Sequence, residues 1–405
     1  MSPGMLSFDE ALQRLLDAAI PSTTIERVPT LDCGGRILAQ DLISSIDVPP
    51  LDNSSMDGYA LRCADLRGAG TTLTVTQLIA AGSLGHTLAA GTAARIFTGA
   101  PVPAGADAVV MQELCAHSGE SVTVNHVPHP GEWIRRRGED IAAGSVVLPA
   151  GTRLGAAELG LAASVGAAEL AVFQPLKVAL FSTGDELAMP GEALKPGGIY
   201  NSNRYTLRAL LQGLGCEVSD LGIVPDQLDA TRAVLRDAAA GHDLILTSGG
   251  VSVGEEDHVK PAVEAEGELS LWKIAIKPGK PLAFGKVRKV GAGATAAFIG
   301  LPGNPVSSFV TFLMLVRPFI LKAQGAHSHS SSPLQLRADF DWKGDPRREF
   351  LRVRRNAAGG LDLFANQSSG VLTSCAWADG LVDNPAGHAI ACGELVNFLP
   401  FSELA

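Results

Sequence analysis

The chain has 405 residues, more than a single core of the usual roughly 100–200 residues organises, so several domains are expected. With 46% hydrophobic and 18% charged residues, and no apolar run of the roughly 18 residues that a membrane-spanning helix needs, the composition is that of a soluble globular protein and excludes a membrane protein. A formal net charge of −10 argues against nucleic acid as a partner, because that binding depends on Lys and Arg neutralising phosphates; an anionic ligand must meet a local basic site.

The opening MSPGMLSFDEALQRLL lacks a basic flank, an apolar run and a small-residue cleavage site, so it does not read as a secretory signal and a cytoplasmic location is expected. Six cysteines (Cys33, Cys63, Cys115, Cys216, Cys375 and Cys392) lie far apart with no CxxC pair, which suits reduced core thiols better than zinc or disulfides. Ser7 and Glu10 have the spacing of a capping box, and Phe8, Ala11, Leu12, Leu15 and Ala19 then repeat at helical spacing, so the first element is an amphipathic helix. From residue 40 to about 128, short apolar runs broken by Gly and Pro predict strands and turns. The following stretch, GEWIRRRGEDIAAGSVVLPAGTRLGAAELGLAASVG, ends in a helix-prone segment similar in character to the first helix. The predicted organisation is an elongated discontinuous domain of residues 1–44 and 138–175, interrupted by a β-rich domain of residues 45–137.

Residues 176–325 carry the clearest pattern. A buried-type strand at 176–181 precedes a helix at 203–214, an extended run at 217–224, a helix at 229–240 and a strand at 243–246. A short helix at 258–266, strands near 272–276, 282–285 and 297–301, and a helix from 305 to about 321 complete the unit. Strands alternating with helices predict an α/β fold with a doubly wound, mostly parallel sheet, whose ligands bind beyond the carboxyl ends of the strands. After the AHSHSSSP linker, where His327 and His329 read as linker residues rather than ligands, residues 326–405 predict a small C-terminal β-barrel-like domain.

Three strands of the α/β unit run into polar loops: FSTGDEL (181–187), TSGGVSVGEED (247–257) and GLPGNPVSS (300–308). Each alone is an ordinary turn. Converging, they offer backbone N–H groups to an anion, with Gly249 and Gly250 the best-suited pair. Lys273, Lys277 and Lys280 lie within eight residues in WKIAIKPGKP, and charge-assisted bonds of about 1.5–3 kcal/mol each can hold a small anion despite the global charge. Asp185, Glu186, Asp226, Glu255, Glu256 and Asp257 supply carboxylates on the same side of the sheet, suited to magnesium, which takes oxygen ligands. Helix capping accounts for Asp229 and equally well for Asp257. In the β-rich region, Asp57 in SMDGYA and Thr98 in FTGAPVP are polar residues in apolar surroundings, although each alone reads as a turn. Asp140, after Arg135, Arg136 and Arg137, is equally consistent with a charged surface turn.

Taken in order, DNSSMDGYA, FTGAPVP, RRRGEDI, FSTGDEL, TSGGVSVGEED, IKPGKP and GLPGNPVS resemble the motif series of the MoeA family of molybdenum insertases, across about residues 7–375. The E domain of gephyrin is similar. The resemblance implies four domains, an α/β domain of the MogA-like kind, and a homodimer whose active site lies between the α/β domain of one subunit and the β-rich domain of its partner. It implies that adenylylated molybdopterin and molybdate give molybdenum-molybdopterin with release of AMP in a magnesium-dependent step, and a transient contact with the molybdopterin adenylyltransferase.

By motif position, the resemblance gives Asp57, Thr98 and Asp140 as contributions from the partner subunit. Glu186, Asp226 and Asp257 would organise magnesium and phosphoanhydride cleavage, and Lys273, Lys277 and Lys280 would bind the pterin phosphate or molybdate. Substrate contacts would come from Ser182, Thr183, Gly184, Asp185, Ser248, Gly249, Gly250, Ser252, Pro302, Asn304 and Ser307. In the last domain, Arg348 or its neighbours Arg347 and Arg352 would close over the anion with Ser369. The rival readings are a molybdopterin adenylyltransferase, which shares the α/β domain, and a binding scaffold without activity.

Overall fold

The structure, a computed structural model, describes residues 5–250, 258–291 and 293–404. The capping box forms as expected: the Glu10 N–H donates to Ser7 Oγ (3.2 Å), and the Ser7 N–H donates to a Glu10 carboxylate oxygen (2.8 Å), starting the helix Phe8–Ala18.

That helix packs against the α/β unit. Phe8, Ala11 and Leu15 join the core of the α/β unit, and Met5–Leu6 just before it adds a parallel edge strand against Lys273 and Ile274. Its apolar stripe packs against the Pro305–Ala323 helical run.

Beyond the helix, Ile25–Pro29 pairs antiparallel with Glu169–Phe173, and Leu42–Ile43 with Val146–Leu148. The chain therefore leaves and re-enters the same ladder region. Between these pairs lies a six-stranded sheet that includes Gly58–Leu61, Thr71–Ile79, Thr92–Ile96 and Ala108–Met111.

The α/β unit has a seven-stranded sheet in the order Met5–Leu6, Gly267–Ile274, Pro281–Arg288, Thr295–Leu301, Leu244–Ser248, Lys177–Thr183, Glu217–Val224. The last four run parallel, while Pro281–Arg288 is antiparallel to both neighbours. Alternation along the central strand sets the layers. Val178 and Leu180 face the core containing Leu207 and Leu211 of helix Ser202–Gly213, and Ala179 and Phe181 face the core containing Leu235 and Val263 of the helices on the other side. Because both faces are covered, ligand access is left at the strand ends.

The helical run Pro305–Ala323 is the one helix among the described residues with the length and apolar composition of a membrane span. It is 19 residues long, its most apolar 18-residue window has a mean hydropathy of 1.6, enough by length and composition to cross a membrane, and 78% of that window is buried inside the protein. The apolar composition is that of a core helix, buried between the sheet, the first helix and the C-terminal domain.

In the C-terminal domain, Arg348–Arg355 pairs with both Gly360–Leu363 and Gly380–Asn384, which closes a small barrel. Ile276–Lys277, from the α/β unit, pairs in parallel with Arg348 and Glu349. That two-residue ladder fastens the barrel beside the strand-end loops.

Candidate active site

The strand ends open into a cavity of about 980 Å³. Thr183, Gly184 and Glu186 come from the loop after Lys177–Thr183, Asp226 follows Glu217–Val224, and Gly249 and Gly250 follow Leu244–Ser248. Pro302, Asn304 and Ser307 follow Thr295–Leu301, and Lys277 and Lys280 come from the KPGK turn. Ser369 joins them from the barrel. Twelve of the sequence-selected residues thus meet in one place.

Two glycines make the close packing of these loops feasible. Gly249 has φ +90, and a Cβ there would stand 2.8 Å from the Thr183 carbonyl oxygen. Gly279, with φ +99, lies against Thr311 Oγ1, which a Cβ would strike. In both places the neighbouring chain occupies the space that any larger residue needs.

Other sequence-selected residues lie elsewhere. Ser182 is buried at 1% exposure beneath the cavity, and its hydroxyl has no hydrogen-bond partner among the described residues. Ser248 lines an adjoining cavity of about 550 Å³, shared with Thr183, Glu186 and Asn304. Asp185 is exposed and lines neither cavity. Lys273 is exposed on its strand, opposite Pro281 and Met5, because Ile274 takes the inward position; only the two lysines of the following turn reach the cavity. Ser252 and Asp257 lie outside the described residues.

Arg348 is a correction. Asp383 holds its guanidinium through two bonds of 2.6 Å, Asp9 takes a third at 2.9 Å, and the group stacks on Phe8, all away from the cavity. Its neighbour Arg347 lines the cavity instead. Arg347 precedes the strand that begins at Arg348 and is held by Asp345 beside the cavity, whereas Arg348, the first strand residue, is held by Asp383.

Asp57, Thr98 and Asp140 do not reach this cavity in the same chain. Asp57 Oδ1 accepts from the Thr98 hydroxyl (2.7 Å) and the Thr98 N–H (2.8 Å), which hold the Asp57 carboxyl below its ordinary pKa. Asp140 is exposed, its N–H donating to the Val48 carbonyl.

The structure adds residues that the sequence did not single out. Asn203 Nδ2 donates to Ser248 Oγ and to the Gly303 carbonyl, both at 2.7 Å, tying two of the loops together. Asn201 caps the helix beginning at Ser202, lines the adjoining cavity and keeps its Nδ2 without a partner among the described residues. The NSN spacing ahead of a helix was the available signal. Gln367 and Ser368 line the main cavity beside Ser369.

Electrostatically, the cavity has two characters. Lys277, Lys280 and Arg347 bring positive charge from the KPGK turn and the barrel. Glu186 and Asp226 bring carboxylates from the far end of the strand order, and neither has an ion-pair partner among the described residues. Lys277 Nζ lies 3.1 Å from both Asp345 and Glu349, and over the Trp342 ring. The Arg347 side chain beside Asp345, more than any other contact, holds that carboxyl far below the usual carboxylate range. Hydroxyls, amides and oriented cations beside free carboxylates suit a phosphorylated or oxyanionic ligand together with a hard cation.

Fold and site together define a multidomain α/β protein with a cavity lined by cations and carboxylates at the strand ends of its doubly wound sheet. Comparison with known proteins makes this specific. The family model for the MoeA N-terminal region, domains I and II, matches residues 6–166; that for the probable molybdopterin binding domain matches 179–322; that for the MoeA C-terminal region, domain IV, matches 335–401. A molybdopterin molybdenumtransferase of Haemophilus influenzae is 44% identical, over 81% of this chain and 80% of that one. Another from Synechococcus elongatus is 37% identical over 95% and 96%. A crystal structure of the molybdopterin biosynthesis MoeA protein of Pyrococcus horikoshii superposes with a TM-score of 0.83 at 28% identity, covering 97% of this chain and 99% of that one. The chain belongs to the MoeA family, the molybdopterin molybdenumtransferases of molybdenum cofactor biosynthesis.

Proposed function

We propose that this transferase converts adenylylated molybdopterin and molybdate to molybdenum-molybdopterin with release of AMP, in a magnesium-dependent reaction in the cytoplasm. The observation that carries the reading is the joining, in one 980 Å³ cavity, of Lys277, Lys280 and Arg347 with Glu186 and Asp226. Lys277, Lys280, Ser307, Arg347 and Ser369 bind the molybdate oxyanion and orient it by charge-assisted hydrogen bonds. The loop amides of Gly249 and Gly250 and the Thr183 hydroxyl take the phosphate end of the adenylylated pterin.

Glu186 and Asp226 fit magnesium, because both face the cavity free of Lys or Arg among the described residues. Magnesium binds through one or two carboxylates while keeping water and substrate phosphate as its other ligands. When bound, it supplies charge neutralisation at the phosphoanhydride. The residues of this chain then act by fixing the two substrates and keeping their charged groups in a pre-arranged setting, with no protein nucleophile.

We further propose that the protein works as a homodimer in which Asp57, Thr98 and Asp140 reach the cavity of the partner. The hydrogen bonds from Thr98 orient the Asp57 carboxylate, and none of the three serves the cavity of its own chain. The proposed division is 1–44 with 138–175, then 45–137, 176–325 and 326–405. A transient contact with the adenylyltransferase would deliver the substrate.

The test uses two assays of purified protein: molybdopterin with ATP, and adenylylated molybdopterin with molybdate and magnesium. AMP and molybdenum-molybdopterin in the second assay are expected. Product in the first alone would make the protein an adenylyltransferase, and product in neither would make it a scaffold.

A further inference from the structure

Arg352, in the barrel strand Arg348–Arg355, is the bulkiest of the fully buried side chains, 1% exposed, and has no carboxylate at ion-pair distance among the described residues. A buried guanidinium needs its charge and its N–H groups satisfied. Here neutral groups do that work: Nε donates to Ser374 Oγ (3.2 Å), Nη1 to the Phe350 carbonyl (3.2 Å) and Nη2 to the Ser368 carbonyl (3.4 Å). Burial pulls its pKa down to about 10, which leaves it charged at neutral pH.

The contacts of Arg352 converge on the 367–369 loop that lines the active-site cavity. Gln367 Oε1 accepts from the Arg352 N–H (2.9 Å), and its Nε2 donates back to the Arg352 carbonyl (3.0 Å) and to that of Phe364 (2.9 Å). The Ser369 carbonyl accepts from the Val306 N–H (3.0 Å), at the start of the helix that carries Ser307. The carbonyls of Ser368 and Ser369, which would repel an oxyanion, are thus both engaged, one by Arg352 and one by a helix N-terminus.

We propose that Arg352 is a positioning residue for the oxyanion: it ties down the 367–369 loop, occupies the Ser368 carbonyl, and places a positive charge that no described carboxylate neutralises behind Ser368 and Ser369. The inference rests on the reading of the cavity as the molybdate site. It assigns Arg352 a role in affinity for the tetrahedral anion rather than for the adenylylated pterin, whose phosphate end meets the glycine loops.

The experiment measures equilibrium binding of molybdate alone and of adenylylated molybdopterin alone to the full-length wild type, Arg352→Gln and Arg352→Lys, with folding checked by thermal melting. For Arg352→Gln, the molybdate Kd is expected to rise about tenfold and the pterin Kd to change by less than about twofold, with KM for molybdate rising and kcat nearly constant. Arg352→Lys keeps the charge but not the planar fork, and is expected to weaken molybdate about threefold. Unchanged molybdate affinity in a folded Arg352→Gln protein, or equal loss for both ligands, would overturn the proposal. Should that variant not fold, the Lys variant decides: a selective molybdate loss supports the proposal and wild-type affinity overturns it. A wild type that binds no molybdate removes the functional reading as well, whereas an active wild type with an unaffected variant removes only the role of Arg352.

Discussion

Lys277 Nζ lies 3.1 Å from Glu349 Oε1, joining a turn of the α/β unit to a barrel carboxylate with no solvent exposure. Glu349 Oε2 also accepts from Trp342 Nε1 at 2.7 Å. Lys277→Met leaves this buried carboxylate without its cation, and is expected to cost about 3 kcal/mol in urea unfolding. The double variant with Glu349→Gln should recover part of that loss, while molybdate binding stays weak in both. Equal destabilisation in the single and double variants would mean that the pair is not coupled.

Asp345 accepts from Lys277 and from Arg347, which together keep its carboxyl far below the ordinary range. A depressed folded-state pKa contributes stability that is present above the unfolded pKa and is lost as pH falls towards the folded value. Wild-type stability should therefore fall below about pH 4 more steeply than that of Asp345→Asn. Melting temperatures measured between neutral and acid pH check this, and parallel curves would remove Asp345 from the acid response.

Asp226→Asn keeps the size of the side chain and removes one of the two carboxylates proposed for magnesium. The expected result is AMP release slowed by about 100-fold at fixed magnesium, with molybdate affinity unchanged. Turnover that is unaltered across a magnesium titration would exclude Asp226 from that role.

If the site is shared between subunits, Asp57→Ala and Asp226→Asn homodimers should each be nearly inactive for different reasons. Mixed by refolding or co-expression, half of the dimers carry one intact site, and roughly a quarter of wild-type activity should return. No recovery in a verified heterodimer would place both residues in the same site or Asp57 outside any.

Gly279→Ala forces a side chain against Thr311 Oγ1 at a left-handed backbone position. A cost of about 1–3 kcal/mol is expected, with weaker molybdate binding because the turn carries Lys277 and Lys280. A variant of wild-type stability would show that the turn relaxes freely.

Much of this was legible in the sequence where local chemistry decides the structure. The Ser7 and Glu10 cap, the buried-type strand at 176–181 and the glycine loops depend on near neighbours, and the described parts of the loops met as the doubly wound pattern required. What depends on distant packing was not legible. The first helix packs against the Pro305–Ala323 run, a contact between distant parts of the chain that no local pattern announces. Arg347 rather than Arg348 reached the cavity because the strand begins at Arg348 and Asp383 holds that guanidinium, a partner 35 residues away that a run of arginines does not reveal. Lys273 resembled its two neighbours in charge, yet its strand carried it to the surface. Asn203 escaped notice because its partners, Ser248 and Gly303, lie 45 and 100 residues away.

The Met5–Leu6 strand has a consequence for how the protein is made. It pairs with Lys273 and Ile274, so its neighbour does not exist until most of the chain has left the ribosome. At roughly 5–20 residues per second, the first strand and the apolar stripe of the first helix wait some tens of seconds for their seat. During that interval Phe8 and Leu15 lack the core that covers them in the folded chain, and a nascent chain stalled before residue 273 should be more prone to aggregation than one stalled after 325.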